Sequence, residues 1–341
     1  MHARIPIGLG IVLLLCGGAL HAAAPGYHVA RRVVLGGEGH WDYLLFDPAG
    51  RRLFIARENR VMVVDPVKGV VLAEIPGLKR AHGIALADEA GRGFATSGSD
   101  AMVTMFDWKT LKVLGRIPTE PDDDAVLYDP ASKRIVTFNG RSRTATEIDP
   151  VSGRAIGRIL LDGEPEFGVA AGDGRLYVNL EDTAEVAEIS TIAMRVIRRW
   201  SIAPCESPTG LAIDRAHHRL FSGCRNKVMA ISDAGSARLL TTVPIGEGVD
   251  ACAFDPAAQL AFASNGDGTL TVVHEDNPDA FRVVANVATR RGARTMALDE
   301  TTHRIFTVSA DPGPPPASTT GQPHPRPSVV PGTFTLLVLE P

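Results

Sequence analysis

The chain has 341 residues, 45% of them hydrophobic, which is enough to bury a large core. Its 35 basic and 39 acidic residues leave a net charge of −4, and no basic run or tail stands out, so sequence-independent nucleic-acid binding through a basic surface is excluded. Aromatic residues make up only 6%, while 34 glycines and 24 prolines point to many tight turns between short apolar segments.

Residues 1–23 read as a secretory signal. Arg4 supplies the positive start, Ile7 to Leu20 the apolar stretch, and His21-Ala22-Ala23-Ala24 the small-residue exit. Cleavage is expected after Ala22 or Ala23, since Pro25 is unfavourable just after the cut. The apolar run is short for a membrane span of about 20 residues. A lipoprotein anchor at Cys16 would need a small residue before it, and Leu15 stands there. The mature chain, 24–341, is expected to be periplasmic or secreted, without a transmembrane segment and as a monomer.

Tyr27–Gly36 (YHVARRVVLG) is the first strand-like segment. A repeat follows. An aspartate closes an apolar run at Asp47, Asp88, Asp129, Asp214, Asp255 and Asp299, with steps of 41, 41, 85, 41 and 44 residues. The weaker copy FGVAAGDGRLYVNL at 167–180 fills the gap of 85. A unit of 40–45 residues built of strands signals a propeller.

The first unit shows the plan: DYLLFD, RLFIAR, RVMVVD and VVLAEI are four short runs separated by Pro, Gly, Asp and Asn. Units two to six repeat it over His82–Ile117, Asp124–Leu161, Glu166–Ile202, Thr209–Ile245 and Asp250–Val287. The seventh starts at Arg294 and holds three runs, TMALDE, RIFTVSA and FTLLVLE. Tyr27–Gly36 resembles a fourth strand and would complete it, closing the ring beside Phe334–Glu340 and leaving no open edge. The expected fold is all-β: a single seven-bladed β-propeller of about four antiparallel strands per blade. The Pro-rich stretch 311–332 interrupts the last blade as a surface excursion or a lid over the face where the first strands begin.

Three cysteines remain after signal removal. Cys205 precedes the first strand of its unit and Cys224 ends the second, so they are neighbours in an antiparallel pair and are expected to form a disulfide. Cys252 lies inside an apolar strand as a buried small hydrophobe. His217, His218, His303 and Lys133 fall in the turns after the first strands and are expected to be solvated.

The repeated DPAGRRLFIA, DPASKRIVTF and DRAHHRLFSG resemble YVTN-type repeats, and the chain from about residue 27 is similar to the YncE-like exported seven-bladed propellers. FIAR, FATS, VTFN, YVNL, FSGC, FASN and FTVS stand where Tyr-Val-Thr-Asn would be. The resemblance implies the fold and export. It transfers no catalytic residue.

Chemistry is expected where the first strands converge on the axis. Five residues before each turn aspartate stand Asp42, Gly83, Asp124, Glu166, Thr209, Asp250 and Arg294. His40, Trp41, His82, Asp122, Asp123 and Glu206 lie beside them. Crowded carboxylates raise one another's pKa unless a cation compensates. Arg294 could pair with Asp250 or Asp42. A divalent cation could take the rest: Ca²⁺ or Mg²⁺ on oxygen ligands, or a transition metal if His40 or His82 joins. Trp41 is a candidate for ligand stacking. No phosphate loop, serine-hydrolase elbow or c-type haem motif is present. Four readings stay open: a solvated mouth, a site for a small ligand or protein partner, a metal-dependent lactonase-like hydrolase, and an accessory of a periplasmic redox enzyme.

Overall fold

The computed structural model describes residues 26–316 and 327–341. The expected signal, with its cleavage point, and residues 317–326 of the Pro-rich stretch lie outside them. Among the described residues, seven antiparallel sheets of four strands follow one another in chain order, and the ring is a seven-bladed β-propeller. Blade 1 holds Leu44–Asp47, Arg52–Arg57, Arg60–Asp65 and Val70–Pro76. Blades 2 to 6 repeat it over 81–118, 123–160, 165–201, 208–244 and 249–288. Blade 7 takes Met296–Asp299, Arg304–Ser309 and Thr335–Glu340, and His28–Val34 from the other end of the chain completes it. That closing pair runs antiparallel, from His28↔Glu340 to Val34↔Thr335.

The recurring aspartate earns its place in the turn. The Asp47 carboxylate accepts the Gly50 N–H at 2.9 Å, and Asp129, Asp214, Asp255 and Asp299 accept the same kind of bond. A side chain that satisfies backbone donors holds a turn that strands alone leave unsatisfied. The residue before the second strand takes a left-handed conformation, as at Lys133, His218 and His303.

Strand two carries the core. Its third residue is aromatic in six blades: Phe54, Phe94, Tyr177, Phe221, Phe262 and Phe306, with Val136 in blade 3, and all are buried. Fourth strands form the rim, where Val70, Leu72, Val113, Leu114 and Ile197 are exposed.

Cys205 and Cys224 form a disulfide with Cα atoms 5.5 Å apart, and Cys252 is buried with a free thiol. The expected solvation of the turn residues holds only in part. His218 is exposed, and Lys133 pairs with Glu89 at the surface. His217 and His303 are half-buried, each with Nδ1 2.6 Å from a buried aspartate, Asp214 and Asp255. Burial of those carboxylates draws the nearest ring nitrogen to them. No helix among the described residues is long and apolar enough to cross a membrane.

Candidate functional site

The mouth-end residues of the first strands line a funnel of about 990 Å³. Asp42, Asp124, Glu166, Asp250 and Arg294 are all in its wall, with His40, Trp41 and His82. Four sequence candidates fall elsewhere. Gly83 packs against the Asp124–Val126 backbone, where a Cβ would come within 3.0 Å of it. Thr209 is buried between blades and donates to the Val249 carbonyl. Asp123 is fully buried inside the propeller, accepting from Thr119 Oγ1. Successive strand residues face opposite ways, so Asp123 turns from the funnel as Asp124 turns to it. Glu206 is exposed outside the funnel, its N–H held by Asn226 Oδ1 in the loop that the disulfide anchors.

The wall also holds residues that the axial alignment passed over. Glu58, Glu181 and Arg225 each follow a second strand, and Glu164 sits two residues before Glu166. The repeat register carried that signal: the residue after strand two meets the mouth as surely as the start of strand one. Tyr43 lines the funnel as well, and its ring lies 4.7 Å from Phe167, which lines an apolar hollow of about 460 Å³ at the other end. Those two rings stand between the hollow and the funnel.

Charge is unevenly compensated. Arg294 Nε donates to Asp250 at 2.6 Å, its Nη2 lies 3.8 Å from Asp42, and its guanidinium sits 5.7 Å from the Trp41 ring centre. Trp41 is itself buried against Phe334. Arg80 pairs with Asp122, and Arg225 with Glu181. His82 Nδ1 lies 2.6 Å from Asp42 Oδ2 and 3.0 Å from Asp124 Oδ1. Burial alone would lower the His82 pKa, but the Asp124 charge and the Asp42 hydrogen bond outweigh it and carry it up to about 9.

Glu166 has no hydrogen bond or ion pair among the described residues. Burial, then the charges of Asp124, Asp250, Glu181 and Asp42, push its pKa well above the usual carboxylate range. Burial raises Asp124 to about 7 despite His82. Asp42, His82 and Asp124 present donor atoms within 4.8 Å of one another and could hold a metal ion. Pro316, at the start of the Pro-rich stretch, also touches the funnel, and an isolated bridge joins Pro312 to Val329.

No family model matches the chain, and no curated protein does. Among solved structures it is similar to Kuenenia stuttgartiensis hydrazine synthase, with a TM-score of 0.69, 14% identity, and coverage of 82% of this chain and 94% of that one. At this identity the likeness shows the propeller fold alone. No comparison bears on the expected resemblance to YncE-like propellers.

Proposed function

We propose that the chain is an exported binding propeller, not an enzyme, whose acidic mouth takes up a cationic ligand: a divalent cation or a small amine. The observation that carries this is Glu166. It sits among four other carboxylates with no cation beside it, while Arg294 and His82 are committed to Asp250, Asp42 and Asp124. Half-buried carboxylates crowded together without a counter-charge tend to hold protons, and an arriving cation would displace them. Export is read from the signal-like residues 1–23, and the disulfide suits an oxidising compartment.

The hydrolase reading needs a metal on Asp42, His82 and Asp124. His82 Nδ1 is held between those two carboxylates at 2.6 and 3.0 Å, so a metal there would have to displace the imidazole from both contacts. The binding reading therefore stands first. A role beside a redox enzyme would use a blade face for docking, and no residue of the mouth speaks for it. Calorimetric titration with Ca²⁺, Mg²⁺ and a linear diamine tests the proposal. One saturable site is expected for one cation class, weakened at least about tenfold in Glu166→Gln, by analogy with loss of one charged contact. No binding by any of them, or equal binding by the variant, overturns it and turns the search to a protein partner.

A further inference from the structure

Blade 6 departs from its siblings. Its third and fourth strands, Thr269–Asn277 and Ala280–Ala288, have nine residues each, where the third and fourth strands of blades 1 to 5 have six or seven. The added hairpin leans on blade 5: Arg219 Nε donates to the Pro278 carbonyl at 2.6 Å, and Nη2 lies 3.4 Å from Asp279. A register shift between Glu275 and Asn277 marks where the extension begins. This device carries Glu275 to the turn of blade 5, beside Asp214 and His217.

The resulting geometry is short of a cation. His217 Nδ1 lies 2.6 Å from Asp214 Oδ2 and 3.0 Å from Glu275 Oε1. One ring nitrogen carries at most one proton and cannot donate to both. The Glu275 side chain is 1% exposed; Oε2 has no hydrogen-bond partner, and Oε1 has only the His217 contact that Asp214 already competes for. A carboxylate buried in that way either keeps a proton or takes a cation in its place. His303 also lies 2.6 Å from an aspartate, but there Asp255 belongs to the turn of the neighbouring blade; at His217 the aspartate is in the same turn, and Glu275 is the carboxylate that blade 6 adds.

We propose that Asp214, His217 and Glu275 form a divalent transition-metal site on the propeller face opposite the acidic mouth. The three donor atoms lie within 4.8 Å of one another, a span that one ion about 2.1 Å from each donor closes with small side-chain rotations. Asp214 keeps Oδ1 on the Ala216 N–H and has Oδ2 for the metal. Two carboxylate oxygens and one imidazole suit Zn²⁺, Co²⁺ or Mn²⁺ better than Ca²⁺, which gathers six to eight oxygens. His217 is 37% exposed, so an ion and its completing waters can reach the site from solvent. Strand Pro208–Asp214 separates the two ends by roughly 20 Å, and this assignment stands apart from the reading of the mouth.

The test is a titration of chelator-stripped protein with Co²⁺, read by its visible d–d absorption, followed by displacement with Zn²⁺. One Co²⁺ is expected at this site, whatever the mouth binds, with its band lost in His217→Ala and Glu275→Gln and kept in Asp124→Asn. His217 lies in a surface turn, so its variant carries the test if Glu275→Gln fails to fold. A wild type that gives no band, or His217→Ala with an unchanged band, overturns the site. A band lost in Asp124→Asn and kept in His217→Ala also overturns it, and assigns the metal to the mouth.

Discussion

On the first strand of blade 3, Asp123 faces the packed interior and Asp124 the funnel, and burial alters both. The Asp123 carboxyl is pushed up to about 7 by desolvation, against the backbone and side-chain bonds from Ser97 and Thr119 that pull it down. The folded protein therefore keeps a proton on Asp123 between about pH 4 and 7 that the unfolded chain releases. Stability from this group falls as pH rises through that window. Asp123→Asn removes the effect. From pH 4 to 8 its melting temperature should drop less than the wild type's, by on the order of a few degrees. Parallel thermal melts check it, and equal slopes would mean that Asp123 is ionised throughout. The sequence showed a run of acids at this mouth but not which member faced inward. That depends on strand phase, which a bulge between Asp123 and Val126 shifts locally. The axial position of Glu166 was legible from the repeat alone. Its lack of a counter-charge was not, because partners such as Arg225 and Glu181 come from different blades.

Among the elements, the hairpins differ in what holds them. In blade 5 the disulfide ties the loop before strand Pro208–Asp214 to the end of Arg219–Cys224, spanning 19 residues. Loop closure of that length contributes about 3 kcal/mol, so Cys205→Ser with Cys224→Ser should lower the melting temperature by roughly 5 °C. Scanning calorimetry decides it, and an unchanged melt would show that the loop is held by packing alone. The bond was legible because both cysteines fall at matching ends of paired strands. The extended hairpin of blade 6 was not. LTVVHE and FRVVANV look like any other unit, and the residues between them give no sign that the strands run on to Asn277 and restart at Ala280. His217 keeps one solvated side, as expected, but its contact with Glu275 was hidden for the same reason: that carboxylate is supplied by another blade.

At the scale of the whole molecule, the period of about 41 residues dictates the architecture and the last blade dictates its closure. Four strands per sheet leave blade 7 one short, and His28–Val34 fills the place. Deleting residues 26–34 should uncover strand Thr335–Glu340 as an edge, lower the melting temperature and promote pairing between chains. A deletion variant that melts with the wild type and stays monomeric in sizing chromatography would show that the ring does not depend on this strand. Closure was legible because Tyr27–Gly36 reads as an orphaned fourth strand. The joining pair also sets a clock on biosynthesis. About 300 residues separate the two partners, so His28 meets Glu340 only after every blade between them has been made. Blades can accrete one after another as the chain reaches the compartment where it folds, yet the ring cannot lock until strand Thr335–Glu340 has arrived. A prematurely terminated product is therefore not a smaller propeller. It is an open ring with a bare β-edge, a form that quality-control proteases can tell from the finished one.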